Sequence, residues 1–200
     1  MATSAPYPAR LEFHSDLEIA RWRPLAQWLL AIPHLVIAAV LSWLRGLLTL
    51  VSFFTVLFTK EIPRPLFDLT VMTLRYEWRA VSYAMFLHED YPPFDFEPTA
   101  VDDGREPHTT VTVAYPEELA RWLPLVKWLL AVPHYVVLAV LVFAALPAGI
   151  VAFFAVIITG AYPQGLRDFL VGVSRYNLRV QAYIGLLTDR YPPFTLSASA

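Results

Sequence analysis

Residues 21–34 read RWRPLAQWLLAIPH, and residues 121–134 read RWLPLVKWLLAVPH. The likeness continues without a gap. Phe53-Phe54 answers Phe153-Phe154, Asp68 answers Asp168, Arg75-Tyr76 answers Arg175-Tyr176, and YPPF begins at both Tyr91 and Tyr191. Self-similarity at a fixed period means one structural unit built twice. Each unit opens on an apolar run. From Leu25 to Thr59 there is one basic residue, Arg45, and no acidic one. Wholly helical, that run would measure roughly 52 Å against a hydrocarbon core of about 30 Å. One straight span has no use for such length, whereas a hairpin does. Turn punctuation stands at matching places in both units, Arg45-Gly46 and Pro147-Ala148-Gly149.

Composition supports a membrane class. Hydrophobic residues make up 57% of the chain and charged residues 16%, and the mean hydropathy is +0.50. Soluble domains hold nearer 25% charged residues. A net charge of −2 argues against a nucleic-acid partner. Cysteine is absent, which excludes disulfides, thiolate catalysis and thiolate metal sites. The stretch MATSAPYPARLEFHSD is polar and lacks a basic-then-apolar leader pattern. The first apolar helix is therefore expected to remain in the membrane.

These features predict an all-α integral membrane fold with four transmembrane helices in two hairpins. The first repeat covers 1–98, with spans at about 24–44 and 47–62. A linker follows at 99–108, and the second repeat covers 109–200, with spans at about 124–145 and 149–162. After each hairpin comes an amphipathic helix, about 64–89 and 164–189, that keeps its charges together. Asp68, Arg75 and Arg79 share one face by their spacing, and such a helix suits the membrane interface. With hairpins, 14 of the 15 Lys and Arg fall on the side of the termini and only Arg45 lies at a tip. The positive-inside rule then places both termini in the cytoplasm, in a parallel tandem repeat. Alternating segments at Ala9–His14 and Thr109–Tyr115 read as short cytoplasmic strands, with FDFEP and FTLSA as further pairing partners.

The series Arg-Trp, Pro-Leu-x-x-Trp-Leu-Leu-Ala, Pro-His, Phe-Phe, Tyr-Pro, Asp, Arg-Tyr and Tyr-Pro-Pro-Phe resembles a bacterial membrane family, common in actinobacteria and catalogued as domain of unknown function 4389. The resemblance covers nearly the whole chain, once per half. The second half fits more closely, with Tyr162-Pro163-Gln164-Gly165. The first departs there, with Glu61-Ile62-Pro63-Arg64-Pro65. What the resemblance implies is a membrane protein with no assigned activity and no catalytic residue to carry over.

Three sets of residues are candidates for a site. Pro33-His34 and Pro133-His134 place an imidazole in each apolar helix, beside a proline that frees the carbonyl of Leu29 or Leu129. An ionisable group there is a functional candidate. Facing each other across the pseudo-symmetry axis, the two histidines could hold an ion, a proton or a headgroup. The alternative is a polar contact that joins helices, and two histidines are too few for a closed zinc site. Asp68, Arg75 and Arg79, with Asp168, Arg175 and Arg179, form the second set. Arginine forks suit anionic headgroups, and ion pairing within the fold is the alternative. Arg21, Trp22 and Trp28, with Arg121, Trp122 and Trp128, read as interface anchors.

No phosphate-binding glycine loop, G-x-S-x-G elbow or H-E-x-x-H motif occurs. The expected function is a non-catalytic inner-membrane protein, an accessory or scaffold subunit that binds lipid or a partner. Its expected partners are membrane lipids and a membrane protein or a second copy of itself, with no cofactor and no metal. A small transporter or channel with His34 and His134 lining the path is the alternative. A lipid-modifying enzyme comes third.

Overall fold

The computed structural model describes residues 6–14 and 17–198. The order is β1 (Ala9–Phe13), α1 (Arg23–Thr59), α2 (Arg64–Ala84), β2 (Thr109–Val113), α3 (Leu123–Leu130), α4 (Val132–Thr159) and α5 (Gln164–Ile184). The element order of the first half recurs in the second, with α3 and α4 together standing for α1.

The expected hairpins are replaced by long helices. Residues 23–59 form one unbroken helix of 37 residues, and Pro147 lies inside α4. Among the described residues two stretches, Arg23–Thr59 and Leu123–Thr159, are long and apolar enough to cross a membrane. The expected spans at about 24–44 and 47–62, and at about 124–145 and 149–162, are thus each one helical stretch. The physical reason lies in the backbone. A glycine within a helix costs about 1 kcal/mol against alanine, and a proline removes one N–H. A turn in apolar surroundings would leave several peptide groups unpaired. Arg45, expected at a hairpin tip, instead lies against α2, where its guanidinium meets Glu77 at 2.5 Å. The one interruption comes at Ala131, two residues before Pro133.

The two halves run in opposite directions, which corrects the parallel arrangement. The amide of Ile19, just before α1, donates to the carbonyl of Gly160, just after α4, at 3.0 Å. The amide of Leu119, just before α3, donates to Lys60, just after α1, also at 3.0 Å. Each long helix therefore starts where the other ends. The pseudo-twofold axis stands across the helices and passes through the β1–β2 ribbon. That ribbon is antiparallel, with Leu11 opposite Val111 at its centre.

Three layers result. The ribbon turns Ala9, Leu11, Phe13, Val111 and Val113 inward, while Arg10, Glu12 and Thr112 point outward. Beneath it lie α2 and α5, buried on most sides. The strands cross over, since β1 packs on α5 and β2 on α2. These helices are thus interior elements, shorter than the 64–89 and 164–189 expected, and not surface helices. The segments FDFEP and FTLSA form no strand among the described residues. Beneath α2 and α5 lie α1 and α4, whose outer faces no described residue covers.

Candidate functional site

Those outer faces reverse the usual pattern of a soluble helix. In α1 the buried stripe carries Gln27, His34 and Ser52 among small and apolar residues. The exposed stripe carries Leu25, Trp28, Ile32, Val36, Val40, Trp43, Leu47, Leu50, Phe54 and Phe58. In α3 and α4, Lys127 and His134 point inward, whereas Trp128, Val136, Val140, Phe143, Leu146, Ile150 and Phe154 point outward. Trp43 is 82% exposed and Phe143 78%. Polar groups within and apolar groups without suit a surface that meets hydrocarbon. The expected anchors Trp22, Trp28, Trp122 and Trp128 are all exposed at the helix starts. Arg21 and Arg121 are exposed beside them, and Arg121 donates to the Phe58 carbonyl at 3.2 Å.

The two histidines occupy equivalent pockets, each closed by its own repeat. Nδ1 of His34 lies 2.9 Å from the Tyr76 hydroxyl, and Nδ1 of His134 lies 2.6 Å from that of Tyr176. The following YPPF segment folds back over the ring. Phe94 stacks on His34 at 4.3 Å and Phe194 on His134 at 4.4 Å, while Tyr91 and Tyr191 approach from the side. Both rings are fully buried. Each His bonds its own repeat's tyrosine, and the two do not share a site. Because α1 and α4 are antiparallel, the histidines are offset along the helices by about 16 Å at 1.5 Å per residue. Nε2 of each ring is buried without a hydrogen-bond partner.

The arginines are enclosed as well. Arg75 donates to the carbonyls of Glu97, Thr99 and Val101. Arg79, 2% exposed, meets Asp95 at 3.1 Å and Asp102 at 2.9 Å. In the second half Arg175 donates from Nε to the Leu11 carbonyl, and Arg179 donates to those of Thr195 and Ser197. These side chains hold the linker, the C-terminal segment and β1 onto the helices. The headgroup alternative therefore loses Arg75, Arg79 and Arg179, whose guanidinium groups are spent within the fold. Asp68 is half-buried, and exposed Asp168 pairs with Arg167 at 3.3 Å.

The sequence reading missed one cluster. His88, Glu106 and His108 each bring a ligand-type atom within 4.8 Å of the others. Beside them opens a cavity of about 780 Å³ lined by Glu18, Glu89 and Asp90. The hydroxyl of Ser82 donates to the Arg79 carbonyl and accepts from Thr109. It therefore accepts the remaining bond, at 3.1 Å, from Nε2–H of His88. Among the described residues, Nδ1 of His88 is buried with no hydrogen-bond partner. Burial, and secondarily the neighbouring His108, push the His88 pKa down to about 4. His108 uses both nitrogens, with Nδ1–H to the His14 carbonyl at 3.1 Å and Nε2 to Asp90 at 2.8 Å. Burial lowers its pKa, but the bonds to Asp90 and to the His14 carbonyl, with the charges of Glu106 and Asp90, together outweigh burial and hold it above the ordinary value. The two rings stack at 4.6 Å with planes 3° apart. An imidazole lone pair lies in its ring plane, so in this arrangement one ion cannot serve both rings. The cluster thus sets a bare Nδ1 on His88 beside a His108 whose two nitrogens are both engaged. No repeat signal could reveal it, because position 188 is Thr and His108 sits at the end of the linker.

A family model described as a domain of unknown function (DUF4389) matches residues 21–95 and again residues 121–195. No curated protein and no solved structure matches the chain.

Proposed function

The chain belongs to the family described as a domain of unknown function, DUF4389, in two tandem copies, and from that premise we propose a bacterial membrane protein of binding rather than catalytic kind. It serves as an accessory or scaffold subunit. The observation that carries this is the inverted surface of the long helices, with Gln27, His34, Lys127 and His134 inside and rows of Trp, Phe, Leu and Val outside. Leaving such an area in water would be unfavourable at about 25 cal/mol per Å². Lipid removes that cost. The polar groups of the interior are largely committed to holding the fold, so the binding surfaces are the lipid-facing helices and the water-facing ribbon and linker.

The test is to express the tagged protein, fractionate the cells and purify it in mild detergent for mass spectrometry of bound lipids and proteins. The expected result is a protein that stays with membranes until detergent is added and carries a lipid or a protein in fixed proportion. Recovery in the aqueous fraction without detergent would remove the membrane reading, and a clean protein with nothing bound would remove the binding role.

A further inference from the structure

We infer that α1 and α4 do not cross the bilayer but lie along it, embedded from one side in a single leaflet, with the β1–β2 ribbon facing water. The inference rests on the membrane reading above and deepens it. Three independent features of the fold lead to it.

The first is the symmetry. The long helices are antiparallel and their ends are joined, Ile19 to Gly160 and Leu119 to Lys60. If they spanned, the pseudo-twofold axis would lie in the membrane plane, and the ribbon on that axis would sit at the depth of the bilayer centre. If they lie flat, the axis becomes the membrane normal, and everything on it moves into water.

The second is the polar layer. The segment 95–105, which leads into and includes most of the linker, lies over the middle of α2, where Arg75 and Arg79 hold residues 95–102. It exposes Glu97, Asp103 and Arg105, and the ribbon beside it exposes Arg10 and Glu12. Spanning would hold these charges beside the hydrocarbon at mid-depth, where charged side chains are strongly disfavoured. Lying flat places α2 and α5 between the charges and the lipid. The molecule then has one apolar face and one polar face, as a protein seated in one leaflet needs.

The third is length. The exposed apolar stripe of α1 runs from Leu25 to Phe58 without a polar interruption larger than Ser42 and Gly46. That is about 50 Å of helix, and fitting it into a core of about 30 Å would need a tilt above about 50°. Spanning helices tilt by about 0–40°. Along the surface the whole stripe is used. Its outward tryptophans at the start and middle of α1, Trp22, Trp28 and Trp43, then lie at a common depth suited to indole rings.

The chain has no cysteine, so single cysteines can be introduced without a background. The exposed sites Glu18, Glu61 and Thr112 mark the two ends of α1 and the ribbon. Glu18→Cys, Glu61→Cys and Thr112→Cys are each labelled with a membrane-impermeant maleimide in right-side-out and inverted vesicles of the expression host. All three are expected to label in the same vesicle orientation, with labelling lost in the other. Labelling of positions 18 and 61 from opposite sides would overturn the inference. As a second measurement, the fluorescence assigned to Trp43 by difference with Trp43→Phe should be quenched more by lipids brominated near the headgroup than by lipids brominated near the chain ends. Stronger quenching from the chain ends would overturn it as well. Protein that does not sediment with vesicles would instead overturn the membrane reading itself.

Discussion

Arg79 and Arg179 hold the same place in two copies of one sequence and are satisfied by different chemistry. Arg79 neutralises the buried carboxylates of Asp95 and Asp102. Arg179 donates to two neutral carbonyls. Arg79→Ala would strand buried charge, which costs about 3–5 kcal/mol. Arg179→Ala would strand carbonyls alone, at about 1–3 kcal/mol. Chemical unfolding in nanodiscs should therefore rank the two variants in that order. Equal losses would mean that the carboxylate pairing contributes nothing. His88 gives a second prediction. Its native pKa of about 4 lies below the ordinary 6.5, so above pH 6.5 both folded and unfolded states are neutral and its contribution is complete. As pH falls from about 6.5 to about 4, the unfolded chain takes up a proton that the native chain refuses. Stability should drop by about 3 kcal/mol over that window. His108, whose pKa is raised, acts in the opposite sense. It contributes below 6.5, and that contribution is lost as pH rises through its native pKa. Melting curves of the wild type and His88→Asn at pH 7.5 and 4.5 isolate the first effect, because the variant should lose less on acidification. An identical loss would show that His88 does not carry it.

Gly46 decides between a hairpin and a continuous helix. It lies within α1, and a Cβ built there meets nothing within 4 Å. Gly46→Ala should stabilise the protein by about 0.5–1 kcal/mol, since alanine loses less backbone entropy in a helix. At the tip of a turn the same change would destabilise, so the sign of the shift in unfolding midpoint reads the local structure directly. The elements themselves were legible to different degrees. The apolar run, the proline-led helix starts and the alternation of Ala9–Phe13 all announce what forms there. The hairpin expectation fails because Gly and Pro signal turns in water, whereas Gly46 and Pro147 here lie within helices. Inside an apolar layer an unbroken helix satisfies more peptide groups. Arg75 and Arg79 were legible as sharing one face, but their partners, in the segment of residues 95–102, lie beyond any helical spacing rule.

The doubling could be read from sequence, but its direction could not. Two copies can be related by translation or by a twofold axis, and the hydrophobic pattern is the same in both cases. Charge counting chooses wrongly: an odd number of crossings inverts the copies but splits the basic residues between both sides, so the count favours an even number and a parallel repeat. What reveals the direction is the pairing of Leu11 with Val111 in an antiparallel register, together with the clasps between Ile19 and Gly160 and between Leu119 and Lys60. Contacts so far apart in the chain carry no local signal. The lodging of His34 and His134 within their own repeats follows from the same geometry, since an inverted pair separates equivalent residues along the helix axis.

The crossing of the strands has a consequence for how such a body is made. Strand β1 rests on α5, and β2 rests on α2, so neither half can close its own interior. As the chain is synthesised, the groove over α2 must wait for residues 109–113, and β1 must wait for α5, beyond residue 164, and slow completion is expected where the pairings are so distant in sequence. A polypeptide carrying one such repeat would face the same deficiency permanently. Its remedy would be to exchange strands with a sister chain. Seen this way, the 200 residues are a dimer whose two partners have been joined end to end.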